Sequence, residues 1–274
     1  FRNLKKDALQ ELDKGVSVLT LPKNTIDKGV LRNKIFIRSY YPKLLEKIRK
    51  QRRSVLIGNP GIGKSTFQYY YLARLFSPEI FSDAIPKDCY GNSEAPKHLI
   101  IQGGENYRVY DIEKNIVEKS YYSIEDYITD IKSDIKSDIK SWLYLFDPLA
   151  SRISPFYMHY IPLLATVSPD IQRYKELCKN GGVKLFMPVF TLDELKVIGK
   201  YMLESKTIPE ELVDFYNEKE IELNYKKFGG IIRYVLPSSK ETYIYAEESR
   251  TNAINLSNIR EIEYKLAIRA PDLI

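Results

Sequence analysis

Eight consecutive residues, Gly58-Asn59-Pro60-Gly61-Ile62-Gly63-Lys64-Ser65, fit the pattern G-x-x-x-x-G-K-[ST]. The chemistry this spacing serves is the gripping of a polyphosphate. Glycines let successive backbone N–H groups converge on phosphate oxygens, and a helix opening at the lysine adds the positive end of its dipole. Lys64 is placed to reach the β and γ phosphates, the Ser65 hydroxyl to ligate Mg²⁺, and Thr66 to lie near the α-phosphate. The flanks agree with this reading. Val55 to Ile57 form a short apolar strand, and the helix after the loop carries Phe67, Tyr71, Leu72 and Leu75 on one face. A glycine turn that binds nothing is the alternative.

A lone acid suggests the next role. In WLYLFDP, residues 142 to 148, an apolar run ends on Asp147 and is followed by Pro148. An acid ending a neighbouring apolar strand is where a Walker B carboxylate holds the Mg²⁺ shell, so Asp147 joins Ser65 as an expected metal-site residue. An Asp-Pro turn is the alternative, and the P-loop context favours the metal-site reading. In many nucleotide hydrolases a glutamate follows that aspartate and directs the attacking water; here proline stands in its place. A second strand, IPLLATV (161 to 167), ends at Ser168, from which a sensor residue would polarise the γ-phosphate or its water. Ser168-Pro169 also suits a helix N-cap with proline at the first helical position. No N-K-x-D tetrapeptide occurs, which weakens a Ras-type GTPase reading and leaves ATP as the default nucleotide, with GTP second.

These residues can meet only if several strands end together. Strands at 55–57, 142–147, 161–167 and 183–189 alternate with helical stretches, and HLIIQGGENYRVYDI reads as a hairpin around Gly103-Gly104. The fold class that follows is α/β, a P-loop (ASCE-type) largely parallel sheet with helices on both faces, the acid strand lying beside the P-loop strand. Residues 1–50 read as an N-terminal extension leading into the core: a polar helical stretch, a turn around Pro22 to Gly29, an extended segment, and a helix from near Pro42. Residues 51–190 form the expected P-loop core, with 77–97 a proline-containing loop. Between 124 and 141 an isoleucine stripe and a threefold DIKS repeat predict a packing helix. Helical patterns at 192–204, 209–228 and around 257–269 predict a C-terminal helical lid over 191–274, running into the start of a further domain.

Composition narrows the class. The 274 residues are 44% hydrophobic and 28% charged, which excludes a disordered chain. No apolar run approaches the roughly 18 residues of a membrane helix, and the first thirty residues do not read as a signal peptide. A start at Phe1 suggests a piece of a longer chain. Cys89 and Cys178 form neither a metal-ligand spacing nor a disulfide framework, which points to reducing, intracellular surroundings. A net charge of +6 permits nucleic-acid contact without demanding it. The run KIRKQRR (47 to 53) reads either as a solvated helix end or as a nuclear-import or phosphate-contact patch.

Several phrases, in order, resemble the NTPase module of Crinkler effectors and retrotransposon hot spot proteins, a STAND/AAA-like P-loop class. They are IFIRSYY, GNPGIGKSTFQYYYLARL, the aspartate ending the third strand, TVSPD, FMPVFTLDEL and KKFGGIIRYVL. The resemblance spans roughly residues 34 to 236. It implies a multidomain protein secreted into a host cell and directed to its nucleus, whose attached domains act on DNA. It matches Lys64, Ser65 and Asp147 directly, and it implies that Arg233 is a sensor-like lid arginine reaching the γ-phosphate; an ion-paired surface arginine is the alternative. Glu194 fits a capping box with Thr191 better than a catalytic base. Arg173 reads as a charged helix face rather than an arginine finger toward a neighbouring subunit, and His98 and His159 as structural.

The expected activity is a Mg²⁺-dependent nucleoside triphosphatase with catalytic residues Lys64, Asp147, Ser168 and Arg233, able to self-associate with nucleotide. A nucleotide-holding switch with negligible turnover follows instead if the missing glutamate is decisive. A nucleic-acid-binding arm follows if the basic run is.

Overall fold

The structure, a computed structural model, describes residues 4–22, 33–103, 106–114, 116–121, 138–147 and 161–256. The predicted DIKS helix up to residue 137, the helix around 257–269, Pro148 and His159 lie outside them; the end of the DIKS stretch, Ile139–Ser141, forms a 3₁₀ turn.

The chain opens with a three-stranded antiparallel sheet of β1 (Leu9–Glu11), β2 (Ser17–Thr20) and β3 (Lys34–Ile37). This replaces the polar helical stretch expected there, which among the described residues is reduced to a 3₁₀ turn at Lys6–Ala8. Alternation along these strands sends side chains two ways. Leu19, Ile35 and Ile37 pack into the core around the P-loop helix, whereas Val18 and Phe36 pack among the C-terminal helices. The small sheet is therefore wedged between the two.

Helix α1 (Tyr41–Arg49) has proline in its first turn and buries Leu44, Leu45 and Ile48 along one stripe. It leads into β4 (Arg53–Ile57), buried along its whole length, and then through the glycine loop to α2 (Lys64–Phe76). This second helix buries more than the expected stripe, adding Gln68, Tyr70, Ala73 and Arg74. Next come β5 (His98–Gly103), β6 (Asn106–Asp111), β7 (Ile116–Tyr121), β8 (Trp142–Asp147) and β9 (Leu163–Val167). Short α3 (Lys175–Lys179) precedes β10 (Val183–Phe186).

These strands form one seven-stranded sheet in the order β10-β4-β9-β8-β5-β6-β7. The first five are parallel and the last two extend the edge antiparallel, the β5–β6 pair being the expected hairpin. Leu56, Leu164, Leu145 and Leu99 face α1 and α2; Val55, Ala165, Tyr144 and Ile100 face the opposite side, where Leu177 of α3 joins them. One expectation is corrected. The acid strand β8 is not next to the P-loop strand, because β9 runs between them.

C-terminal helices follow: α4 (Leu192–Glu204), α5 (Glu218–Phe228), α6 (Ile232–Val235) and α7 (Lys240–Leu256). The single helix expected over 209–228 is broken. A 3₁₀ segment, Glu210–Tyr216, ends at Asn217, whose side chain caps α5 by accepting from the Glu220 N–H at 2.9 Å.

Candidate functional site

Parallel strands place their carboxyl ends along one edge of the sheet, where open α/β folds bind ligands. Here Ile57 lies level with Val167, and the Gly58 N–H donates to the Val167 carbonyl at 3.2 Å. Asp147 ends β8 on the same edge. The glycine loop rises from this edge, with Gly61 at φ +82° and Gly63 at φ +89°, the latter immediately before α2. Both lie in the left-handed region that favours glycine. The loop thus turns its backbone sharply enough for the helix to start at Lys64.

The Lys64 ammonium folds back over its own loop, donating to the carbonyls of Gly58 at 2.7 Å and Asn59 at 2.9 Å. The Ser65 hydroxyl donates to the Asp147 carboxylate, bringing together residues 82 apart in the chain. Neighbouring strands lie about 4.8 Å apart, so the acid strand stands roughly 10 Å from β4. The start of α2 bridges that gap over the end of β9. Thr66 lies beside Gly63, where the Tyr41 hydroxyl also approaches.

Electrostatics tie further residues to this cluster. Burial pushes the Lys64 ammonium below its ordinary value, Asp147 pulls it back up, and the Arg233 and Arg173 guanidinium groups push it down. Arg233 reaches the loop from α6. Its backbone N–H donates to the Gly61 carbonyl at 3.3 Å, and a Cβ added to Gly61 would meet the Arg233 Cβ at 2.7 Å. Arg173 lies in a 3₁₀ turn after β9, half-exposed and 3.7 Å from Asp170 Oδ2. Its positive charge adds to that of Arg233 at Lys64.

Ser168 is half-buried at the end of β9, and among the described residues its hydroxyl makes no hydrogen bond. It does not cap a helix as its sequence context suggested. The turn begins two residues later, where the Asp170 side chain accepts from the Gln172 N–H at 3.0 Å. Glu194 does form the expected capping box with Thr191. His98 stacks on Trp142 with ring centroids 4.3 Å apart, in keeping with its structural reading.

Two residues that sequence reasoning missed organise the site. Gln68, buried in α2, donates to the Thr166 hydroxyl at 3.1 Å and the Phe146 carbonyl at 3.4 Å. One carboxamide so fixes the helix to both β9 and the residue before Asp147. The other is Arg38, whose charge interrupts the apolar run IFIRSYY; a cation there signals a buried partner, which proves to be Glu194.

Ser65 and Asp147 together offer oxygen donors of the kind Mg²⁺ takes when phosphates and water complete its shell. Among the described residues no group of three His, Cys, Asp or Glu side chains could hold a metal unaided.

No protein-family model and no curated protein matches the chain. Among solved structures it is similar to Hsp104 in its closed state with ATPγS and FITC-casein, at TM-score 0.41 and 12% identity over 85% of this chain and 41% of that one. It is also similar to RuvB variants of Thermotoga maritima. One gives TM-score 0.33 and 16% identity over 70% of this chain and 57% of that one. Another gives 0.34 and 16% over 77% and 68%. The chain thus spans less than two thirds of the first two. Likenesses this distant assign neither activity nor partner. Among the described residues no helix is long and apolar enough to cross a membrane.

Proposed function

We propose that this chain is a Mg²⁺-dependent nucleoside triphosphatase, with ATP the favoured substrate and GTP the second. The observation that carries the reading is the Ser65–Asp147 hydrogen bond at the foot of the helix that Lys64 opens. Residues 58 to 66 would hold the phosphates, and Ser65 with Asp147 would hold the ion, whose charge would offset that of the β and γ phosphates. Attack by water on the γ-phosphorus breaks its bond to the bridging oxygen, releasing inorganic phosphate and the diphosphate. Arg233 would stabilise the charge developing on the transferred group. Ser168, whose hydroxyl makes no hydrogen bond among the described residues, would orient the water in place of the absent glutamate, and turnover should be modest.

The resemblance to Crinkler-type effectors supports a larger setting. In it, residues 51–190 are the hydrolase core, 1–50 its N-terminal extension and 191–274 the lid running into a further domain. Nucleotide turnover and self-association would regulate attached domains acting on DNA in a host nucleus.

Pro148 favours a second reading, a switch that holds nucleotide with negligible hydrolysis. The nucleic-acid arm has less support. Arg49 and Arg53 of the basic run are buried, donating to the Asn92 and Asn180 carbonyls.

Phosphate release from ATP or GTP with Mg²⁺, measured beside a Lys64→Ala control, decides between the first two. Release above the control is expected. Release equal to the control, with nucleotide still raising the melting temperature, would leave the switch. No thermal shift at all would sink both.

A further inference from the structure

Two phrases far apart in the sequence, IFIRSYY and MPVFTLDEL, meet at one guanidinium. Arg38 is 2% exposed and follows directly on β3. Its Nε and Nη2 donate to the two carboxylate oxygens of Glu194 at 2.9 and 2.7 Å. Nη1 donates to the Pro188 carbonyl at 2.7 Å and Nη2 to the Val189 carbonyl at 2.6 Å. The guanidinium carbon also stands 4.0 Å from the centre of the Phe190 ring. Every residue from 188 to 190, and the first turn of α4, is thus held by one side chain.

That held segment carries the lid. The Phe190 N–H donates to the Gly230 carbonyl at 2.9 Å, and a Cβ on Gly230 would fall 1.9 Å from the Phe190 oxygen, so only glycine fits. Three residues later, the Arg233 N–H reaches the Gly61 carbonyl. On the core side, the Met187 N–H donates to the Ile57 carbonyl at 2.9 Å, the last residue before the glycine loop. Direct contacts therefore run from Arg38 through 188–190 and Gly230 to Arg233 and the loop.

Stability does not explain such a pair, since apolar replacements of a buried ion pair are often neutral or stabilising. A planar fork gripping a carboxylate and two carbonyls explains it as geometry.

We propose that Arg38 is a positioning residue for the nucleotide site: it holds residues 188–190 so that the Gly230–Arg233 turn rests on the glycine loop. The N-terminal sheet thereby becomes a working part of that site. Only the kinetic consequence rests on the hydrolase reading; the positioning exists without nucleotide.

The experiment has two arms. In nucleotide-free protein, amide exchange is followed in the wild type, in Arg38→Lys, and in Arg38→Met combined with Glu194→Leu. The double replacement leaves no buried charge unpaired, so it stays folded where the lysine variant fails. Exchange at the Arg233 amide should rise about tenfold in either variant while β4 and α2 stay protected. Unchanged protection at Arg233 in a folded variant overturns the proposal. In the second arm, Arg38→Lys should lower kcat about tenfold with diphosphate affinity unchanged, and add nothing further in an Arg233→Ala background. A full additive loss would show that Arg38 acts elsewhere. A wild type that releases no phosphate sinks the hydrolase reading alone, and the exchange arm still decides the positioning.

Discussion

The Arg233 side chain lies against Gly61, its Nε 3.3 Å from where a Cβ on that glycine would be. The C-terminal helices thus set a cation on the crest of the loop that Lys64 closes from below. A charge there matters most where negative charge develops during reaction rather than in the bound ground state. Arg233→Ala should therefore lower kcat by roughly 10²–10³-fold, the scale of losing one preorganised donor. Diphosphate affinity should hardly change. Steady-state kinetics beside diphosphate titration checks this; a loss confined to KM would assign Arg233 to uniform binding instead.

Lys64 carries a testable pH signature. Burial first, then Arg233 and Arg173, depress its ammonium below the ordinary 10.5, against the pull of Asp147. Bound phosphates would favour the charged form and raise the value again. Triphosphate affinity should consequently fall as pH rises through the depressed value, with proton uptake on binding in that window. Calorimetry in two buffers of different ionisation heat, followed as pH rises toward 10.5, measures the uptake. Lys64→Arg should abolish it, since guanidinium stays charged throughout. Binding with no proton uptake in the wild type would place Lys64 away from the phosphates.

Gln68 offers a test of how Asp147 is held. Gln68→Leu keeps most of the volume and removes the amide that the Thr166 hydroxyl and the Phe146 carbonyl accept from. The expected destabilisation is about 1–3 kcal/mol, read from the urea midpoint. Turnover should fall too, because the residue before Asp147 loses its tie to α2. Full stability would mean that the two acceptors find other partners.

The local features of this molecule were legible in its sequence; the long-range ones were not. The glycine loop, the strand before it and the helix after it lie within one short stretch, and Thr191 and Glu194 cap their helix across three residues. Asp147 could be read because it ends a clean apolar run. Its strand's place could not, because crossovers set strand order and leave no periodic mark in the sequence. The N-terminal sheet escaped for a different reason. Strands such as Leu9–Glu11 and Ser17–Thr20 are too short for alternation to outweigh a helical reading of the same residues. Helix α7 was missed because Ile244, Tyr245 and Ile254 are exposed, so its apolar residues form no buried stripe. Ser168-Pro169 held a good cap signal, and Asp170 took the role. Arg38 and Glu194 lie 156 residues apart, and only the fold could pair them.

That pair makes a prediction at acid pH. Burial pushes the Glu194 carboxyl upward, but the Arg38 fork and the Thr191 N–H outweigh it and hold the group below its ordinary 4.5. A depressed carboxylate adds stability that is fully present above the unfolded-state value and is lost as pH falls through the folded one. Glu194→Gln removes the charge at every pH and leaves the Arg38 guanidinium buried without its counter-charge. At neutral pH this variant should be less stable by roughly 3 kcal/mol. The gap should narrow as pH falls below 4.5, where the unfolded wild-type chain takes up a proton that the folded carboxyl resists until lower pH. Urea unfolding of both proteins from neutral pH down to about pH 3 tests the sign directly. A gap that stays constant over that range would mean that neither Arg38 nor Thr191 depresses the carboxyl, and that the stability lost in the variant is one of packing.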